Sequence, residues 1–258
     1  MPLDELTRAF VKDLVKSGKR EDGRSFLDFR NASVKTGVIE NDEGSAIATM
    51  GDSKVLCGVK IDLLLPFPDR PDDAVVMVGS EFSPMAHPEF QPGPPNENSI
   101  ELARVVDRAI RSADCIDLKA LPRTKEKVMA VFIDLQVLDQ CGNLIDTAAL
   151  AAMAALKNTR VPRLDVENAK VVREDFQGPL PLKRSALICS FEKIGEKIVV
   201  DASDKEEVAS DGRLSIGVTD DGLVCCGQKS GEAGFSKQEL LNLIDLSFEK
   251  TKPLFELL

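Results

Sequence analysis

The chain has no tryptophan, no tyrosine and a single histidine, His87. Its only aromatic residues are 12 phenylalanines, so it is poorly supplied with the stacking platform that sequence-tolerant nucleic-acid binders build from rings. His87, flanked by Ala86 and Pro88, reads as a surface or packing residue. Cysteine is present but unorganised. Cys57, Cys115, Cys141, Cys189, Cys225 and Cys226 form no Cys-x-x-Cys pair, which argues against a zinc site or a disulfide framework and for reduced thiols. No apolar run approaches the roughly 18 residues of a membrane span, and Met1 to Lys16 lacks the uninterrupted apolar core of a signal peptide. The expectation is a cytoplasmic chain with no membrane partner. Basic charge is also short: Lys and Arg total 33 against 43 for Asp and Glu, a net charge of −10. The whole molecule repels nucleic acid, so any such contact must come from a local basic strip or beside a more basic partner.

What is present is a globular composition, 43% hydrophobic and 29% charged over 258 residues, enough for one large domain or two small ones with a shared core. Leu3, Leu6, Phe10 and Leu14, with Val11 and Val15, predict an amphipathic first helix over 3–17, stopped by Gly18. A basic, turn-rich segment, KREDGRSFLDFR, follows. Alternating runs between Ala32 and Leu65 predict an antiparallel meander, and Ala74 to Phe82 a further strand. Val128 to Leu138 is β-branched enough for a central strand. Asp146 or Thr147 is the predicted cap of a small-residue helix that ends at Asn158 to Pro162. Strands are predicted at Ser185 to Phe191, Lys197 to Asp201, Arg213 to Thr219 and Leu223 to Gly227, the last two joined as a hairpin at Asp220-Asp221-Gly222. Ser236 to Glu239 is a capping box opening a final helix.

Three stretches could carry chemistry. The helix in PNENSIELARVVDRAIRSA has Ile100, Ala103, Val106, Ile110 and Ala113 as its predicted apolar face. Its other face stacks Arg104, Arg108 and Arg111 behind Glu97 and Glu101. That strip is either a solvated face, partly neutralised by Glu101 and Asp107, or a row of anion ligands, since a guanidinium suits phosphate. The turn CGNLIDT opens a helix, where free N–H groups favour an anion, yet it offers no arginine and places Asp146 in the way. It reads as a closed anion site. The acidic group Asp201, Asp204, Glu206, Glu207 and Asp211 reads as a solvated loop or helix face rather than a metal site, because its spacing matches no ion-binding loop.

These residues carry a resemblance covering Arg20 to the last helix. The R-x-D-G-R at Arg20 to Arg24, the helix SIELARVVDRAIRS, the strand VFIDLQVLD with AALAAMAAL after it, the N-T-R-V-P at Asn158 to Pro162 and the late IVVD before an acidic segment resemble the RNase PH family. Within it, P-N-E-N-S-I-E-L-A-R-V-V-D-R and D-x-x-G-N-L-I-D resemble the non-catalytic RNase PH-like subunit of the archaeal exosome core ring. The resemblance implies an α+β, RNase PH-like fold of two β-α-β units (ribosomal protein S5 domain 2-like) about a pseudo-twofold, with mixed sheets packed on helices. It implies a single domain over 1–258, with an N-terminal subdomain of about 28–165 and a C-terminal one of about 166–258. The implied partners are a catalytic RNase PH-like paralogue in a hexameric ring of three heterodimers, cap proteins with S1 or KH domains, and single-stranded RNA. Active members are phosphate-dependent 3′ to 5′ exoribonucleases that hold phosphate with a Ser/Thr-Arg pair where this chain has Asn-Leu-Ile-Asp. They carry further basic residues where it has Asn96, Glu97 and Asn98, and a catalytic aspartate near the position of Glu207. No catalytic residue, metal ligand or cofactor is therefore expected. Arg104 and Arg108 are expected to contact RNA phosphates, with Arg111 there or at the partner interface. The alternative is an active exoribonuclease in its own right.

Overall fold

The computed structural model describes residues 2–258, with side chains from Glu5 onward. Helix α1 (Pro2–Lys16) precedes an antiparallel meander of β1 (Ala32–Thr36), β2 (Gly44–Met50) and β3 (Ser53–Leu64). From β4 (Val75–Phe82) the chain passes through α2 (Glu97–Ser112) to β5 (Val128–Asp139), which lies parallel to β4 and antiparallel to β3. The five strands form one sheet in the order β1-β2-β3-β5-β4. Helix α3 (Leu144–Asn158) leads to a two-stranded hairpin of β6 (Arg160–Asp165) and β7 (Lys170–Pro179). Then β8 (Ala186–Ile194), β9 (Lys197–Val200), the short α4 (Asp204–Ala209), β10 (Gly212–Thr219) and β11 (Val224–Gly231) follow, their strands forming a second sheet in the order β11-β10-β8-β9, and α5 (Lys237–Phe255) ends the chain.

The largest core cluster packs around α3. Its residues from Leu144 to Leu156 are all buried, against β2 and β3 on one side and β8 on the other. A helix enclosed on all sides must be apolar all round, and its many alanines bring the strands of both sheets close. The capping box at α5 is formed as its residues predict: Ser236 Oγ accepts from Glu239 N–H at 3.2 Å and Glu239 Oε2 accepts from Ser236 N–H at 2.7 Å.

Three expectations are corrected and one element is added. The N-cap of α3 is Asn143, in the left-handed region at φ 55°, three residues before Asp146. Asn is one of the few residues that tolerates this conformation. The buried face of α2 is Leu102, Val105, Val106, Ala109, Ile110 and Ala113, while Ile100 is exposed, because the helix is wedged against β4 and α3 rather than lying on one flat surface. Among the described side chains of α1 only Val11 and Val15 are buried, against Ile194, Val199, Ala202 and Ala209; Leu6 and Phe10 remain exposed. Leu3 lies outside the described side chains. The β6-β7 hairpin is an addition to the expected elements: it has no sustained period-two pattern, with Val161, Pro162 and Leu164 buried on β6, β7 largely exposed, and register shifts on both sides of Pro162.

Candidate functional site

Helix α2 is started by Asn96, whose Oδ1 accepts from Ser99 N–H at 2.9 Å. Burial of the Leu102, Val105 and Ala109 stripe then turns the arginines outward, but not to one destination. Arg104 is exposed, and no hydrogen-bond or ion-pair partner for it is found among the described residues. Arg108 donates from Nη1 to Gln228 Oε1 on β11 at 2.7 Å. Both line an open cleft of about 390 Å³, with Ile100 and Val105 as its apolar floor and Glu97 and Glu101 at its side. Arg111 turns the other way. It grips Asp107 through Nη2 and Nε at 2.6 and 3.2 Å and donates to Val76 O at 3.0 Å, outside the cleft. The structure thus brings Arg104 and Arg108 together and holds Arg111, already neutralised, on the β4 side.

The N-terminus of α3 lies next to α2, across a cavity of about 130 Å³ lined by Asn98, Glu101, Gln140, Ile145, Glu207 and Arg213 among others. This is where a helix would offer its free N–H groups to an anion. A carboxyl group of the chain itself is already there: Asn143 N–H donates to Glu207 Oε1 at 2.9 Å. Burial pushes the Glu207 carboxyl above its usual range, against the opposing pull of Arg213, 3.8 Å away, and of the Asn143 amide. Asp146, expected to block the approach, instead faces inward. Its oxygens accept from Ser190 N–H at 3.0 Å, Ser190 Oγ–H at 2.7 Å and Asn143 Nδ2 at 3.0 Å. Complete burial raises its pKa to about 7, although those hydrogen bonds oppose the rise.

The acidic segment after β9 is not the solvated face its spacing suggested. Asp201 is fully buried and joins Arg30 (Nη2–Oδ1 2.7 Å), Arg24 (Nη1–Oδ2 2.8 Å) and Asn143 (Nδ2–Oδ1 2.9 Å). Burial alone would raise its pKa, but the Arg30 hydrogen bonds and charge outweigh that and hold the carboxyl below its usual range. Glu206 is a bidentate partner of Arg20, at 2.8 and 2.7 Å, and both side chains are buried. Asp211 takes Lys12 at 2.6 Å. Two of the acids, Asp201 and Glu206, are thus neutralised by the basic segment before β1, a pairing whose sequence signal was the arginine-rich KREDGRSFLDFR itself. Among the described residues no three or more His, Cys, Asp or Glu side chains converge as a metal site. His87 accepts at Nδ1 from Glu89 N–H at 3.3 Å and lies 5.3 Å from the Phe90 ring.

Residues 28–162 match domain 1 of the 3′ exoribonuclease family, RNase PH, and residues 186–250 match its domain 2. The chain is 45% identical to exosome complex component Rrp42 of Methanothermobacter thermautotrophicus, covering 99% of this chain and 95% of that protein. It is 44% identical to the component of the same name from Methanosarcina acetivorans, covering 96% and 92%. Among solved structures, a chain of the Archaeoglobus fulgidus exosome with RNA bound to the active site superposes with a TM-score of 0.89 at 38% identity, covering 99% of both chains. A chain of an archaeal exosome core gives 0.86 at 37% identity, covering 99% and 98%. Rice Rrp46, at 18% identity and a TM-score of 0.68, shares the fold. No helix among the described residues is long and apolar enough to cross a membrane.

Proposed function

The chain belongs to the 3′ exoribonuclease (RNase PH) family, and from that premise we propose that it is a non-catalytic subunit of an exosome ring. In this reading it alternates with a catalytic RNase PH-like paralogue as three heterodimers, completes the partner's active site and helps hold single-stranded RNA for 3′ to 5′ phosphorolysis. Cap proteins with S1 or KH domains and a cytoplasmic setting complete the picture, with a single RNase PH-like domain whose subdomains cover about 28–165 and 166–258. Support for the ring comes from the full-length similarity to relatives named as exosome components and from the superposition on exosome chains.

The observation that carries the non-catalytic part is the Glu207 carboxylate on the Asn143 amide. Phosphorolysis needs an inorganic phosphate held and its charge stabilised, and transfer of this kind depends almost wholly on positioning and electrostatics. The Glu207 carboxyl seated at the helix N-terminus takes the donor and the space that a phosphate would need there. For RNA, the cleft between α2 and β11 holds one unpaired guanidinium, Arg104, and one pre-oriented by an amide, Arg108. Two cations without base-reading partners suit the phosphate backbone and carry no sequence preference. Arg111 sits at the margin of this surface, its charge already met by Asp107.

The test is phosphate-dependent release of nucleoside diphosphates from a 3′-tailed RNA, by this chain alone, by the paralogue alone and by the two together. Silence from the chain alone, with the mixture far exceeding the paralogue, supports the reading; release by the chain alone overturns it. In the assembled ring, Arg104→Glu with Arg108→Glu should weaken RNA binding and reduce the log–log salt slope by about 1.4, at ~0.7 per lost single-strand phosphate contact. Unchanged affinity and slope would leave a purely architectural subunit.

A further inference from the structure

Strand β11 carries two adjacent cysteines, and adjacent residues of a strand ordinarily point to opposite faces. These two do not. The register with β10 runs Gly217 opposite Cys226 and then Val218 opposite Val224, so Cys225 has no residue across the ladder and is the extra residue of a β-bulge. The bulge turns its side chain to the side that already carries Cys226. Both sulfurs converge over Gly217: a Cβ there would overlap Cys226 Sγ and come within 2.9 Å of Cys225 Sγ. Both thiols pack, half-buried, against the larger apolar cluster. Two residues further along the same strand, Gln228 holds Arg108.

The other thiols differ from this pair. Cys57, Cys115 and Cys189 are wholly buried, and Cys141 stands by itself in the turn before α3. Only at the bulge do two partly accessible sulfurs share one space. The Cys226 thiol is also the more acidic of the two, lowered first by its Cys225 neighbour, then by the Gly217 backbone and by the charge of Arg108.

We infer that Cys225 and Cys226 form a dithiol site for a soft, thiophilic monovalent cation of the copper(I) class, bridged between the two sulfurs over Gly217. Thiolates select soft ions, and a two-coordinate d¹⁰ ion is satisfied by two of them. Zinc is not, because it asks for four ligands, and the described residues bring no third His, Cys, Asp or Glu to the pair as a metal ligand. Binding breaks two S–H bonds, forms two S–metal bonds and releases two protons to solvent; no electron is transferred.

The test is an anaerobic titration of the full chain, alone and in the ring, with copper(I) buffered by a chromogenic chelator. One ion per chain is expected, with affinity falling roughly 100-fold or more in Cys225→Ser and in Cys226→Ser, since each removes one of two soft ligands. Cys141→Ser should bind as the parent does, and equimolar zinc should not displace the ion. Serine keeps the side-chain volume nearly unchanged, and matching thermal transitions would show that the variants are folded. The inference is overturned if the chain takes no copper(I) from the chelator, if both serine variants at the bulge keep full stoichiometry, or if Cys141→Ser abolishes binding.

Discussion

Asp146 shows at the scale of one residue how a polar helix start can be sealed inside the core. Its carboxyl is wholly buried with no guanidinium on it, held only by Ser190 and Asn143, and its pKa stands at about 7. An acid raised in this way binds its proton more tightly folded than unfolded. The cost of burying its charge is absent below the ordinary value of 3.8 and fully present above about 7, so this group's contribution to stability declines as pH rises through that window. Glu192, also raised to about 7 by burial, adds the same sign. Asp201 has the opposite sign, since its lowered pKa confers stability above the ordinary value that is lost only as pH falls below it. Asp146→Asn keeps the shape: the amide oxygen can accept from Ser190 N–H and Asn143, and its NH₂ can donate to Ser190 Oγ, which turns to Ser215 at 2.8 Å. The variant should be more stable than the parent at pH 8 by roughly 1–3 kcal/mol and equal to it near pH 4. Denaturant unfolding at the two pH values decides it, and a pH-independent difference would show that the charge is not the cause.

At the scale of elements, the β5–α3 turn and the acidic segment are joined by backbone contact as well as by charge. Gly142, at φ 90°, accepts from Arg30 and from Ser53 Oγ through its carbonyl, and a Cβ there would overlap Ala202 O, Ser203 C and Asp204 N. Neither the left-handed conformation nor the close approach tolerates a side chain. Gly142→Ala should therefore cost about 2–4 kcal/mol, through strain and overpacking together, and it should loosen Glu207 from the Asn143 amide. Hydrogen exchange of the Asn143 amide checks the second part: protection equal to the parent's would mean that α4 moves with the turn as one piece. Little of this was legible from residues read locally. The sheets, the central helix and the α5 capping box follow from period-two runs, an alanine-rich segment and Ser236 to Glu239, all signals carried within a few residues. The α3 cap, the buried face of α2 and the burial of Asp201 depend on what packs there from far along the chain. A run of five acids looks solvated until arginines 171 to 186 positions earlier are brought onto it.

At the scale of the whole molecule, those arginines tie the segment before β1 to the second sheet. Arg20 is nearly fully buried and satisfied on all sides: two hydrogen bonds to Glu206, and others to Val200 O, Asp201 O and Ser25 O. Glu206 also accepts from Ser203 N–H at 2.8 Å, so one carboxylate both starts α4 and holds the N-terminal segment. A buried pair of this kind adds little beyond what an apolar pair would give, but removing one partner strands the other. Arg20→Met should thus cost about 3–5 kcal/mol, most of it from the uncompensated Glu206 charge rather than from lost attraction. Glu206→Gln in the Arg20→Met background removes the stranded charge while leaving an oxygen for the Ser203 amide, and should return a large part of that loss. The coupling is the discriminating quantity: if the two changes simply add in urea unfolding, the pair is not the joint between the segment and the second sheet. Because Arg24 and Arg30 bind Asp201 across the same boundary, the parent should also unfold in one transition, with an m-value set by the whole chain. A first transition confined to residues 186–250 would show that the second sheet holds itself together without the arginines.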